Sequence, residues 1–350
     1  MEPPKFVSEL RRDPHHGGWC VTTHDPEREA ALNIPLAADP NTVPCAFCEG
    51  YETYTPPEIT AVSDNGERKP NERGWSIRVI PNRLPVLTVE GEEAREGLGM
   101  FDRMRGVGAH EVIVESPRHT DRFAAFNTDR LTKILTIIRS RLLDLRKDVR
   151  MRYITVCRFE SPESVGHLAH PHGQVIASGA TPPSLKAELT AAREYYEYKE
   201  RCLFCDTIRE EERFKDRLIF TSKDCVTMAP FASRTPFEVH ILPRRHLHDF
   251  GLVPDEDLAG IGEAIVDIFR RLDTLLPKWG RGLSLHTSPN TVTRYQSGYW
   301  RTIHLDYHWH FEIMPMPPRR QDWADIIGLP LCSVSPERAA AALREASSRP

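Results

Sequence analysis

His170-Pro171-His172-Gly173-Gln174-Val175-Ile176 is the stretch on which the reading of this chain turns. Alternate residues of an extended segment face the same way, so His170, His172 and Gln174 are expected on one side of a strand. A neutral imidazole is a competent nucleophile toward phosphorus near pH 7, because its unperturbed pKa is about 6.5. The amide N–H of Gln174 can donate to a phosphoryl oxygen as negative charge builds there. Three such groups within five residues point to chemistry, with His172 as nucleophile and Gln174 as donor. His170 is then a metal ligand that stiffens the segment from beneath.

Working outward, the stretch is preceded by a strand over Tyr153–Phe159 and, before that, by an amphipathic helix. Leu131, Ile134, Leu135, Ile138, Leu142 and Leu145 recur at helical spacing behind Thr128 as N-cap. Upstream lie strands at Trp75–Ile80 and His110–Glu115, the second stopped by Ser116-Pro117-Arg118-His119. Residues 183–200 read as an exposed helix. The second half repeats this grammar with short strands near Leu218–Thr221, Cys225–Met228 and Glu238–Leu242. A helix through Leu258, Ile261, Ile265, Ile268, Phe269 and Leu272 follows, then strands near Leu283–Thr287 and His308–Met314. Each half carries a C-x-x-C pair, a strand followed by His119 or His246, a helix, and a strand with paired histidines. The helix-preceding histidines stand 127 positions apart and the Cys pairs 157. This is an internal duplication: an α+β chain of two tandem repeats, 1–185 and 186–350, sharing a mainly antiparallel sheet with packed helices.

The chain has eight Cys and fifteen His. Zinc favours four tetrahedral ligands drawn from thiolate and imidazole, and a C-x-x-C turn supplies two thiolates at once. The pairs Cys45/Cys48 and Cys202/Cys205 are too far apart to share one ion. Each is therefore expected to recruit histidines from its own half: Cys45, Cys48, His119, His170 for one Zn2+, and Cys202, Cys205, His246, His308 for another. The blander alternative is four buried thiols without metal. A redox role is disfavoured because neither pair lies between a strand and a helix start.

Composition narrows the rest. The 350 residues are 40% hydrophobic and 27% charged, with a net charge of -4. That balance argues against nucleic acid as the main ligand. No apolar run approaches the ~20 residues of a membrane span, and the N-terminus lacks the apolar core of a signal peptide. A soluble, cytoplasmic protein is the expectation. The 29 prolines are dispersed, as in loops and strand ends.

At these motifs the chain resembles the galactose-1-phosphate uridylyltransferase family, a branch of the histidine-triad superfamily, whose active-site strand reads H-P-H-G-Q. The similarity runs nearly the whole length. Arg12-Asp13-Pro14 with Trp19 resembles the family's opening segment, and Arg78-Val79-Ile80-Pro81-Asn82-Arg83 with Pro85 its R-V-x-P-N-x-x-P turn. His110 to His119 is similar to H-E-V-I-I-E-S-P-x-H, whose last His is a zinc ligand. The second C-x-x-C with His246 and His308 looks like the two-zinc subgroup that includes ADP-glucose phosphorylases.

The resemblance implies a histidine-triad fold, two structural zincs and a homodimer. It also implies that His172 attacks the α-phosphorus of a nucleotide-sugar and passes the nucleotide to a phosphorylated acceptor. Arg78, Asn82, His167 and Gly173 are the expected substrate contacts. The rival readings are a nucleoside diphosphate-sugar phosphorylase and a non-enzymatic, zinc-stabilised nucleotide-binding protein. The sequence departs from the family on the substrate side. His167 in Val165-Gly166-His167 stands where a phosphate-contacting Ser is usual, Phe159-Glu160-Ser161 replaces a Lys/Asn pair, and 322–328 lacks the hexose-recognising segment. The chemistry is therefore expected to be retained and the sugar or acceptor altered. His286 and His310 match positions that hold a second metal in some relatives; with Cys202 and Cys205 present they are expected to serve as hydrogen-bonding residues.

Overall fold

The computed structural model describes residues 8–12, 19–23, 45–64, 66–162, 164, 169–291, 300–317 and 329–346. The expectations for Asp13-Pro14, His167 and 322–328 lie outside these residues. In chain order the strands are β1 (Ser8–Arg12), β2 (Trp19–Thr23), β3 (Thr60–Val62), β4 (Ile77–Pro81), β5 (Glu96–Leu98), β6 (Phe101–Arg105), β7 (Gly108–Val114), β8 (Tyr153–Glu160), β9 (His172–Ser178), β10 (Leu218–Thr221), β11 (Cys225–Met228), β12 (Val239–Pro243), β13 (Gly280–His286) and β14 (His310–Met316). The helices are α1 (Thr128–Leu145), α2 (Pro183–Lys199), α3 (Leu203–Phe214), α4 (Asp255–Leu275), α5 (Ile303–Asp306) and α6 (Pro336–Glu345). None is long and apolar enough to cross a membrane.

Ten strands form one antiparallel sheet in the order β10-β11-β12-β14-β13-β8-β9-β7-β4-β3. The order is a palindrome of the two halves. β8 and β13 meet at its centre, and there Cys157 pairs with Ser284. Tyr153 and Gly280, which open these strands, stand 127 positions apart, as do Thr128 and Asp255, which open α1 and α4. Cys157 lies opposite Gln174 just as Ser284 lies opposite Glu312. Register thus makes Glu312 the counterpart of Gln174, and His310 that of His172. The α+β architecture of two repeats is the one the sequence implied.

Strand alternation sorts the two faces. Ile77, Val79, Ile113, Val175, Val156, Leu283, Phe311 and Ile241 form one core with the apolar stripes of α1 and α4. Each fully buried aliphatic there contributes roughly 1.5–3 kcal/mol. Gly262 in α4 sits where the helices cross; a Cβ on it would lie 2.9 Å from Leu131 Cβ, so the glycine permits that close packing. The N-cap of α1 is Asn127, which accepts from Arg130 N–H, rather than Thr128. Asn127 alone has the extended backbone a cap needs.

The covered face also holds charge. Arg158 donates to Glu115 at 3.2–3.3 Å and lies 3.8 Å above the Phe123 ring, with both ionic side chains buried. Burial pushes Glu115 above the usual carboxylate range, and Arg158 opposes that shift. Arg158→Met strands the carboxylate, and we expect a loss of about 3–5 kcal/mol in urea unfolding. The double change Arg158→Met/Glu115→Leu should recover most of it; failure to recover would mean that the pair is not the source.

β1, β2, β3, β5, β6 and α3, with α5 and α6, were not legible. β1 and β2 join β5 and β6 in a separate sheet, β2-β1-β6-β5, in a region read as irregular. β3 lies inside the polar, turn-rich stretch 56–74. α3 begins directly at the second Cys pair, with Cys202 as its N-cap residue.

Candidate active site and metal centres

The sheet face away from α1 and α4 carries the chemistry. β9 starts at His172, and Glu115 N–H donates to the carbonyl of Pro171, which anchors the segment just before it. The His172 ring is 8% exposed. Its Nδ1 lies 2.7 Å from the His170 carbonyl oxygen. Only an N–H can donate to that oxygen, so Nδ1 carries the proton and Nε2 the lone pair. A cavity of about 340 Å3 opens beside it, lined by His172, Gln174, Cys157, Phe159, Gly282 and Met314. A second cavity, about 250 Å3, lies behind His170 and Pro171. There Arg158 and Arg281 are already bonded to Glu160.

Of the expected substrate contacts, Asn82 lies in this neighbourhood. Its Nδ2 is 3.1 Å from His110 Nε2, which is in turn 2.8 Å from Gln174 Oε1. The other two described positions face elsewhere. Gly173 points to the opposite face, where a Cβ would meet Glu115 Oε1 at 3.4 Å, because neighbours along a strand alternate. Arg78 is 1% exposed and is spent on Glu58, Thr55 and Asn71. It braces the 55–71 loop and does not line the cavity beside His172.

The structure brings each expected ligand set together. Cys45, Cys48, His119 and His170 place one ligand atom each within 4.8 Å of the others, and so do Cys202, Cys205, His246 and His308. Cys48 N–H donates to Cys45 O to close the first turn. His170 Nδ1 lies 3.7 and 3.8 Å from the two sulfurs, while its Nε2 meets the Ser116 carbonyl at 2.7 Å. That carbonyl takes the ring proton and turns the Nδ1 lone pair toward the thiols. Burial lowers His170 to about 4, so the ring is neutral. In the second set Cys205 Sγ lies 3.3 Å from His246 Nδ1 and 3.6 Å from His308 Nδ1. The His304 carbonyl orients His246 through Nε2 at 3.1 Å.

A tetrahedral zinc with Zn–S near 2.3 Å and Zn–N near 2.0–2.1 Å has S···N edges of about 3.6 Å, and all four distances fall close to that. Burial and then the neighbouring Cys45 push the Cys48 thiol up to about 11. Two thiolates in that space therefore call for a cation. The residues present fit the metal. Phe47, inside the first C-x-x-C, contacts both His170 and His172, with centroids at 6.0 and 5.6 Å, and so ties the metal turn to the reactive strand.

A third group was only partly foreseen. His286 Nδ1 lies 2.9 Å from Glu188 Oε2, its Nε2 3.3 Å from Glu312, and His310 Nε2 3.8 and 3.7 Å from the same two carboxylates. The hydrogen-bonding role expected for His286 matches this, and the four residues are also close enough to hold an ion. Burial works against the Glu312 carboxylate, yet His310, His286 and His240 hold it well below the usual range. Arg234 closes the cluster against Glu238 and Glu312. Glu188 and Arg234 belong to no motif, and the fold alone discloses them.

No protein-family profile matches the chain. It is 27% identical over 344 residues to ADP-glucose phosphorylase of Arabidopsis thaliana, covering 97% of this chain and 93% of that one. It is 22% identical over 315 residues to galactose-1-phosphate uridylyltransferase of Thermotoga maritima, covering 90% and 88%. Among solved structures, an Arabidopsis thaliana ADP-glucose phosphorylase with bound ADP-glucose superposes with a TM-score of 0.74 at 26% identity. The match covers 97% of this chain and 99% of that one.

Proposed function

We infer from these likenesses that the chain is a relative of the galactose-1-phosphate uridylyltransferases and ADP-glucose phosphorylase. From that premise we propose that it moves a nucleoside monophosphate from a nucleotide-sugar to a phosphate-bearing acceptor through a nucleotidyl-His172 intermediate. The observation that carries this is the tautomer of His172, which puts the Nε2 lone pair on the reactive side. In the first half-reaction Nε2 forms a bond to the α-phosphorus as the bond to the bridging oxygen breaks, and a sugar phosphate leaves. In the second, an acceptor phosphate oxygen bonds to phosphorus as the P–N bond breaks, and His172 is restored. Ping-pong kinetics follow. Gln174 donates to the non-bridging oxygens, and Asn82 lies one side chain further along the same face. A phosphorylase, with inorganic phosphate as acceptor, is the second reading. It is favoured by the relation to ADP-glucose phosphorylase.

We assign two zinc ions per chain, held by Cys45, Cys48, His119, His170 and by Cys202, Cys205, His246, His308. Bound zinc would cross-link each turn; four protein ligands leave it no open position. The palindromic sheet supports tandem repeats at 1–185 and 186–350. A homodimer rests on the family resemblance.

Intact-protein mass after incubation with UDP-, ADP-, GDP- and CDP-glucose tests the mechanism. One nucleotidyl mass gain with one donor is expected. Adding inorganic phosphate or a hexose phosphate should then discharge it and identify the acceptor. No adduct and no released sugar phosphate with any of the four would overturn the reading.

A further inference from the structure

We propose that His110 is a positioning residue that sets the orientation of the Gln174 amide; this deepens the proposed function and rests on it. His110 and Gln174 are diagonal neighbours on adjacent strands, since Val112 pairs with Gln174 and His110 with Ile176. Long side chains at diagonal positions reach one another. A side-chain amide can be turned over at little cost unless a neighbour distinguishes its oxygen from its nitrogen. Here a chain of backbone contacts makes that distinction. The Val86 N–H donates to His110 Nδ1 at 3.2 Å. A backbone N–H is a donor only, so Nδ1 carries the lone pair and Nε2 the proton.

Asn82 and Gln174 both stand near that proton. Asn82 Nδ2, at 3.1 Å, is itself a donor, because Leu84 N–H at 2.9 Å fixes Oδ1 on the other side of that amide. Gln174 Oε1, at 2.8 Å, is the acceptor. The His110 proton therefore holds the Gln174 oxygen toward β7 and leaves its two N–H bonds for the His172 side, where a phosphoryl oxygen gains charge. His110 is 8% exposed, so water competes little for this bond. With the amide reversed, a carbonyl oxygen would face the phosphate and repel it.

The measurement is the single-turnover rate of His172 labelling, using whichever of UDP-glucose or ADP-glucose labels the wild type. His110→Phe keeps the ring and loses both nitrogens; roughly a tenfold to hundredfold slower labelling is expected, with half-saturation within about threefold. His110→Gln puts an amide N–H near the old Nε2 and should restore the rate to within about threefold. His110→Asn retains a side chain that can face Val86 but cannot reach Gln174, and should be as slow as His110→Phe; it serves if the latter misfolds. In a Gln174→Ala background His110→Phe should cause no further loss, because groups acting through one another are not additive.

Wild-type rates in His110→Phe and His110→Asn would overturn the assignment. So would an equal loss with and without Gln174. A wild type that takes no label from either donor fails one step earlier, at the nucleotidyl-His172 reading itself.

Discussion

His172→Ala should abolish both half-reactions, lowering turnover by roughly 10^4- to 10^6-fold, the scale seen when a covalent nucleophile is removed. Melting temperature and metal content should stay near wild type. His172 donates to the His170 carbonyl and is no member of either ligand set, so its loss leaves both sets whole. Exchange of labelled sugar phosphate into the nucleotide-sugar is the sharpest assay, because it reports the first half-reaction alone and needs no acceptor. Appreciable exchange in the His172→Ala protein would place the nucleophile elsewhere.

Loss of either thiolate pair should cost far more stability than any surface change, but with different functional signatures. Structural zinc contributes about 10–16 kcal/mol in small zinc-finger peptides. This chain has an independent apolar core, so about 4 kcal/mol or more per site is the expectation, a large share of an ordinary domain's stability. Cys202→Ser removes the clasp joining α3 to the turns at His246 and His308. Its folded fraction should still label His172. Cys45→Ser removes the anchor of His170, whose carbonyl sets the His172 tautomer, so both stability and labelling rate should fall. Metal analysis should find two zinc per wild-type chain and one in each variant. Fewer than about one in the wild type would reject the two-site assignment.

The sequence disclosed the parts of this site that local chemistry defines. C-x-x-C turns and paired histidines declare their ligand character within a few residues, and the heptad-like stripes of α1 and α4 declare their buried faces. It did not disclose what long-range register creates. Gly173 sits inside the most informative motif yet faces away from the cavity, which only strand phase determines. Arg78 carries a charge that seemed available, but Glu58 on a distant loop absorbs it. His110 read as one more strand residue, since its role depends on the 82–86 turn and on Gln174 arriving from two other segments. The sheet of β1, β2, β5 and β6 escaped because Ser8-Glu9-Leu10-Arg11-Arg12 lacks a clean alternation of apolar and polar residues. α3 escaped because a metal turn and a helix start share the same residues.

The palindromic sheet separates reactivity from selectivity in evolutionary terms. His310 occupies the place of His172 but lies between Glu188 and Glu312, two carboxylates that would repel a nucleotide's phosphates under the proposed reaction. Yet Gly282, Ser284, Met314 and Met316 of the second repeat form one wall of the cavity beside His172. Under the proposed reaction, that wall can be altered in shape without touching the nucleophile strand. A lineage built this way can acquire a new sugar or acceptor by substitutions in β13 and β14, without passing through an ancestor that has lost the reaction.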